Sequence, residues 1–120
     1  MAVRRMKTYT GETGYVYQYY FVGKRAALPG ALEAPATEFI FDVTPDRKTM
    51  FAVSVFLKVE AVAAWGAAHG RELSETEQYG AAKMRLFRGF DQVEKLREEG
   101  RSLLIEAADI EELLAPLNLQ

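Results

Sequence analysis

Tyr15-Val16-Tyr17-Gln18-Tyr19-Tyr20-Phe21 is the stretch that decides the fold. Every second position is aromatic, so on the two-residue period of a strand Tyr15, Tyr17, Tyr19 and Phe21 share one face, and Val16, Gln18 and Tyr20 share the other. An aromatic face of this kind has two uses. It is the inner layer of a small sheet, or a platform on which flat ligands stack.

Outward from this run the chain supplies partners for a sheet. Residues 3–10 read as a first strand, and Gly11-Glu12-Thr13-Gly14 supplies a reversal, so that residues 15–24 pair back in a hairpin. Residues 26–37 carry two prolines and a glycine and read as a long surface loop. Phe39, Phe41 and Val43 then alternate, residues 44–49 have turn chemistry, and residues 50–58 return as a strand that is apolar on both faces. Phe51, Val53, Val55 and Leu57 lie on one face; Met50, Ala52 and Phe56 lie on the other.

From Val59 the period changes to that of a helix, with Val62 and Trp65 among alanines and Gly70 as the left-handed stop. Ser74 and Glu77 form a capping box that opens a second helix. Tyr79, Ala82, Leu86, Phe90 and Val93 recur at spacings of three and four, which predicts a helix over residues 75–99; Gly89, and a second capping box at Asp91 and Glu94, leave open a kink or a break there. Gly100 ends it. Residues 101–106 read as a closing strand, and Asp109 with Glu112 reads as the cap of a short helix stopped by Pro116.

This order predicts one α+β domain over residues 1–120: a mostly antiparallel sheet of four to five strands, with two or three C-terminal helices packed on one face. A meander is the expected strand order.

With 49% apolar and 27% charged residues the chain is expected to fold. The absence of cysteine excludes disulfides, thiolate nucleophiles and cysteine-ligated metals. The basic start, with Arg4, Arg5 and Lys7, lacks the apolar stretch of a secretory signal, and no run is long and apolar enough to span a bilayer; a cytoplasmic protein without membrane association is the expectation. The net charge of −2 conceals an asymmetry. Residues 1–90 hold 12 basic and 9 acidic side chains, a net +3, whereas residues 91–120 hold 3 and 8, a net −5. The acidic end is read as a solvated face in preference to a cover for basic residues.

No catalytic motif emerges. His69, the sole histidine, is the one acid/base candidate, but no nucleophile accompanies it; its place at a helix C-terminus gives it a structural role with the helix dipole. The carboxylates at Glu72, Glu75 and Glu77 suit a helix start better than a metal site. The glycine pairs lack the context of a phosphate loop. Neither cofactor nor metal is expected.

Single-stranded nucleic-acid binders combine stacking rings with basic side chains. Tyr17, Tyr19 and Tyr20, flanked by Lys24, Arg25, Arg47 and Lys48, form a candidate surface of that type, although core packing of the tyrosines is preferred and the chain is slightly acidic. Lys83, Arg85 and Arg88 spread over a broad helix side and read as solvated. Tyr79, Met84, Phe87 and Phe90 exceed what a thin core needs and suggest a subunit contact. The leading expectation is a non-enzymatic interaction or regulatory domain that self-associates as a homodimer. The alternatives are single-stranded nucleic-acid binding through the tyrosine strand, and a small-molecule binder or enzyme with a pocket between sheet and helices, using His69, Arg71 or a tyrosine hydroxyl.

Overall fold

In the computed structural model, residues 6–11, 16–28, 30, 32, 34–92 and 102–117 are described. The expectations that rest on Arg4, Arg5, the tip of the first turn, Tyr15, Val93, the end of the long helix and Gly100 lie outside these residues. Five strands are present: β1 (Lys7–Thr10), β2 (Val16–Ala26), β3 (Ala36–Thr44), β4 (Phe51–Lys58) and β5 (Ser102–Ile105). Among the described residues three helices accompany them: α1 (Val59–His69), α2 (Glu75–Gln92) and α3 (Ala107–Leu114), followed by a 3-10 turn over Ala115–Leu117. The sheet order is β1-β2-β3-β4-β5. The first four strands form an antiparallel meander, in which β2 and β3 are neighbours although a long loop joins them. β5 adds parallel to β4, which is possible because α1 and α2 lie between them in sequence and provide a crossover. The arrangement is α+β, with the helices on one face.

Pairing fixes the faces. Tyr9 is opposite Tyr17, Tyr19 opposite Val43, Phe21 opposite Phe41, and Phe41 opposite Val53, so the alternate aromatic and β-branched residues of four strands share one layer. Phe39, Phe41, Val43, Val53 and Val55 are buried in it, each contributing about 1.5–3 kcal/mol by removal from water. A bulge between Phe21 and Gly23 shifts the register of β2 and leaves Phe21 38% exposed at the margin, although its ring still meets Tyr79 edge-on at 5.0 Å.

α2 covers this layer. Phe90 stacks on Tyr17 at 4.4 Å, Phe87 stacks on Tyr9 at 4.2 Å, and Tyr79 meets Phe41 at 6.3 Å. The side chains read from sequence as surplus thus find partners inside the chain. The helix runs unbroken through Gly89 to Gln92. Gly89 serves close packing: a Cβ there would lie 2.8 Å from Leu103 Cδ1.

The C-terminal elements correct two expectations. The N-cap of α3 is Glu106, not Asp109; Asp109 sits at the third helical position and returns a bond to the Glu106 amide at 2.8 Å. The acidic residues here are also not simply solvated. Glu106 pairs with Lys58, Asp109 and Glu112 pair with Arg88, and Glu111 hydrogen-bonds His69, so ion pairs and a hydrogen bond tie this short segment to earlier elements. On the edge strand β5, Arg85 Nε donates to the Leu104 carbonyl at 3.0 Å. Among the described residues no helix is long and apolar enough to cross a membrane.

Candidate functional site

α1 has only two polar side chains in eleven residues, Glu60 and His69. A helix of that composition is normally buried all round, yet only Ala61 and Trp65 are buried here. Ala61 and Trp65 are its buried pair, and Val62, half-buried, packs against the same core from one side. Val62 belongs to a second stripe with Val59, Ala63 and Gly66, at positions i, i+3, i+4 and i+7. Val59 is 52% exposed.

This second stripe forms one wall of a groove of about 660 Å³. The opposite wall comes from Arg71, Glu72, Leu73 and Gln78, and Thr37 of β3 closes the end. The chain turns back sharply to make it. Gly70 adopts φ 70°, a left-handed conformation open to glycine, and donates its N–H to the Gly66 carbonyl at 2.8 Å. Val59 N–H donates to the Pro35 carbonyl at 3.0 Å, which anchors the other end of α1 to the loop before β3.

The far wall is held by a polar cluster. Glu77 N–H donates to Ser74 Oγ at 3.1 Å and Ser74 N–H donates to Glu77 Oε1 at 3.0 Å, the expected capping box. Arg71 adds a bidentate pair to the same carboxylate, with Nη1 and Nη2 each at 2.8 Å, and its guanidinium lies 4.7 Å from the Trp65 ring centroid. The Arg71 hydrogen bonds and the Ser74 amide pull the Glu77 carboxyl down to about 2. Gln78 Nε2 donates to the Leu73 carbonyl at 3.0 Å, closing the turn.

The residues singled out from sequence do not converge on this groove. Tyr17 and Tyr19 are core, 8% and 2% exposed, and burial together with the neighbouring Tyr79 pushes the Tyr19 hydroxyl up to about 12. Tyr20 lies on the face of the sheet opposite the helices, where its hydroxyl donates to Asp42 at 2.6 Å. Lys24 falls on the helix side and pairs with Glu75, whereas Arg25 falls on the open side and pairs with Glu38. Arg47 and Lys48 are exposed in the turn after β3, around Asp46, whose carboxylate accepts the Thr49 and Lys48 amides. Arg25 is opposite Glu38, and the turn follows Thr44 six residues later; at about 3.3 Å per residue the two basic pairs are roughly 20 Å apart. His69 stacks on Trp65 at 4.1 Å and bonds Glu111, facing α3 and not the groove lining.

The open face of the sheet carries its own polar ladder. Burial works against the charge on Glu38, but hydrogen bonds from Arg25 at 2.8 Å and Ser54 at 2.6 Å, with the Arg25 charge, outweigh it and hold the carboxyl below its ordinary value. With Tyr20–Asp42 and Lys58–Glu106 alongside, this face satisfies its polar groups within the chain. Among the described residues no group of three or more His, Asp or Glu side chains is placed to hold a metal ion. No family model, curated protein or solved structure matches the chain, so function is argued from the groove itself.

Sequence reasoning named Arg71 but missed the groove. The available signal was α1, whose apolar composition on every side exceeds what one packed face requires.

Proposed function

We propose that this chain is a non-enzymatic binding domain that holds a small, largely apolar molecule in the groove between α1, the turn at residues 70–74 and the start of β3. The observation that carries this reading is the groove: about 660 Å³ falls within the range of roughly 300–1,000 Å³ typical of small-molecule sites, and its walls at Val59, Val62, Ala63 and Leu73 are apolar. A binding role is favoured over catalysis because His69, the acid/base candidate, is engaged by Glu111 away from the groove. Self-association through the long helix has less support, since Tyr79, Phe87 and Phe90 pack against Phe41, Tyr9 and Tyr17.

Nile red, a neutral dye that brightens in apolar surroundings, tests the reading. Its fluorescence is expected to rise with the folded chain and to fall back with Val59→Asp, which places a charge on the groove wall at a 52% exposed position while circular dichroism stays unchanged. Equal dye binding by the variant and the parent chain would remove the groove as the site.

A further inference from the structure

We infer that the groove selects a primary ammonium group carried on an apolar body, with Glu72 as its counter-charge. This deepens the proposed function and rests on the groove being a ligand site. The charges around the groove decide the sign of the ligand. Arg71 is committed to Glu77 through two 2.8 Å bonds, lies over Trp65 and also donates to the Glu72 main-chain carbonyl at 3.4 Å. Arg71, Glu72 and Glu77 together carry a net charge of −1, and the Glu72 carboxylate is the member that no ion pair engages among the described residues. Among the described residues that line the groove, no uncommitted cation offsets this charge for an anionic ligand; a cation is attracted.

The neutral polar groups agree. Gln78 already donates Nε2 to the Leu73 carbonyl, which leaves its Oε1 as an acceptor, and the Thr37 hydroxyl at the groove's end also accepts. A group that donates several hydrogen bonds and bears positive charge satisfies all three. An ammonium does so, whereas an alcohol supplies one donor and a carboxylate none. The remainder of the ligand is set by the stripe of Val59, Val62 and Ala63 facing Leu73: an aryl or alkyl body that buries against α1.

Glu72 is exposed, so its contribution is that of a partly screened ion pair, about three- to fivefold in affinity. Isothermal titration of the full chain with three probes of matched shape reads this directly: 2-phenylethylammonium, 2-phenylethanol and 3-phenylpropionate. The expected order is amine tightest and carboxylate weakest; Glu72→Gln brings the amine down to the alcohol, and Ala63→Phe, which fills the groove from an exposed position, weakens all three. If the amine and the carboxylate bind alike, or Glu72→Gln leaves the amine unchanged, while Ala63→Phe still abolishes alcohol binding, the ammonium preference is overturned and the groove stands. If no probe binds, or Ala63→Phe has no effect on any of them, the groove reading fails and this inference fails with it.

Discussion

Replacing Glu77 by Gln keeps the side chain's length, its helix propensity and an acceptor for the Ser74 amide, but removes the charge that Arg71 grips. The magnitude follows from the proton affinity of the carboxyl, which falls from an ordinary 4.5 to about 2 in the folded chain. At about 1.4 kcal/mol per tenfold change, that sets a ceiling of about 3 kcal/mol. Glu77 is 7% exposed but the Arg71 side chain is 43% exposed, so solvent screens the pair and about 1–2 kcal/mol is the expected contribution. Because folding depresses this carboxyl, its stabilisation is present above the unfolded value near 4.5 and is lost as the pH falls towards 2. Urea unfolding of the parent chain and Glu77→Gln at pH 6 and pH 3 reads the effect as a gap in midpoint at constant slope. By linkage the gap at pH 3 is expected to be less than about half that at pH 6. A gap of the same size at both pH values would refute the ion-pair account of the groove's far wall.

Three further changes test the packing. Gly89→Ala gains about 1 kcal/mol of helix propensity but forces a Cβ to 2.8 Å from Leu103 Cδ1, an overpacking cost of about 1–3 kcal/mol, so a net loss of about 1 kcal/mol is expected, recovered in part by Leu103→Val; stabilisation by Gly89→Ala alone in thermal unfolding would contradict the close approach of α2 and β5. Tyr19→Ala is expected to cost about 3–5 kcal/mol in urea unfolding, as for other large buried rings. Tyr20→Phe, one residue on, loses the part-buried hydrogen bond to Asp42 and is expected to cost about 1 kcal/mol. Similar losses at both positions would mean that the two faces of β2 are not as different as their burial indicates.

The strands and the start of α2 were legible because they depend on local rules. Alternation placed Tyr17, Tyr19, Phe39, Phe41 and Val43 on one face, and Ser74 with Glu77 gave the capping box residue for residue. What escaped was set by non-local geometry. Nothing in the sequence near Gly89 reports that Leu103, fourteen residues away, approaches within a Cβ's reach. Alternation by itself sends the adjacent Lys24 and Arg25 to opposite faces, and the bulge at Phe21/Gly23 decides which of them meets the helices: Lys24, with Arg25 on the other side. The groove was hidden for a similar reason. Periodicity shows that α1 is apolar, but only the return of the chain at Gly70 decides which of its two stripes meets the core and which faces Leu73 and Gln78.

Proton–nitrogen correlation spectra of the labelled chain, titrated with 2-phenylethylammonium, bear most directly on the claim that this groove is the binding site. The amides of Val62, Gly66, Leu73 and Gln78 are expected to shift together along one saturable curve while those of Tyr20, Ile40 and Ala52 on the open face of the sheet stay still. Shifts confined to the open face, or none at saturating probe, would contradict it.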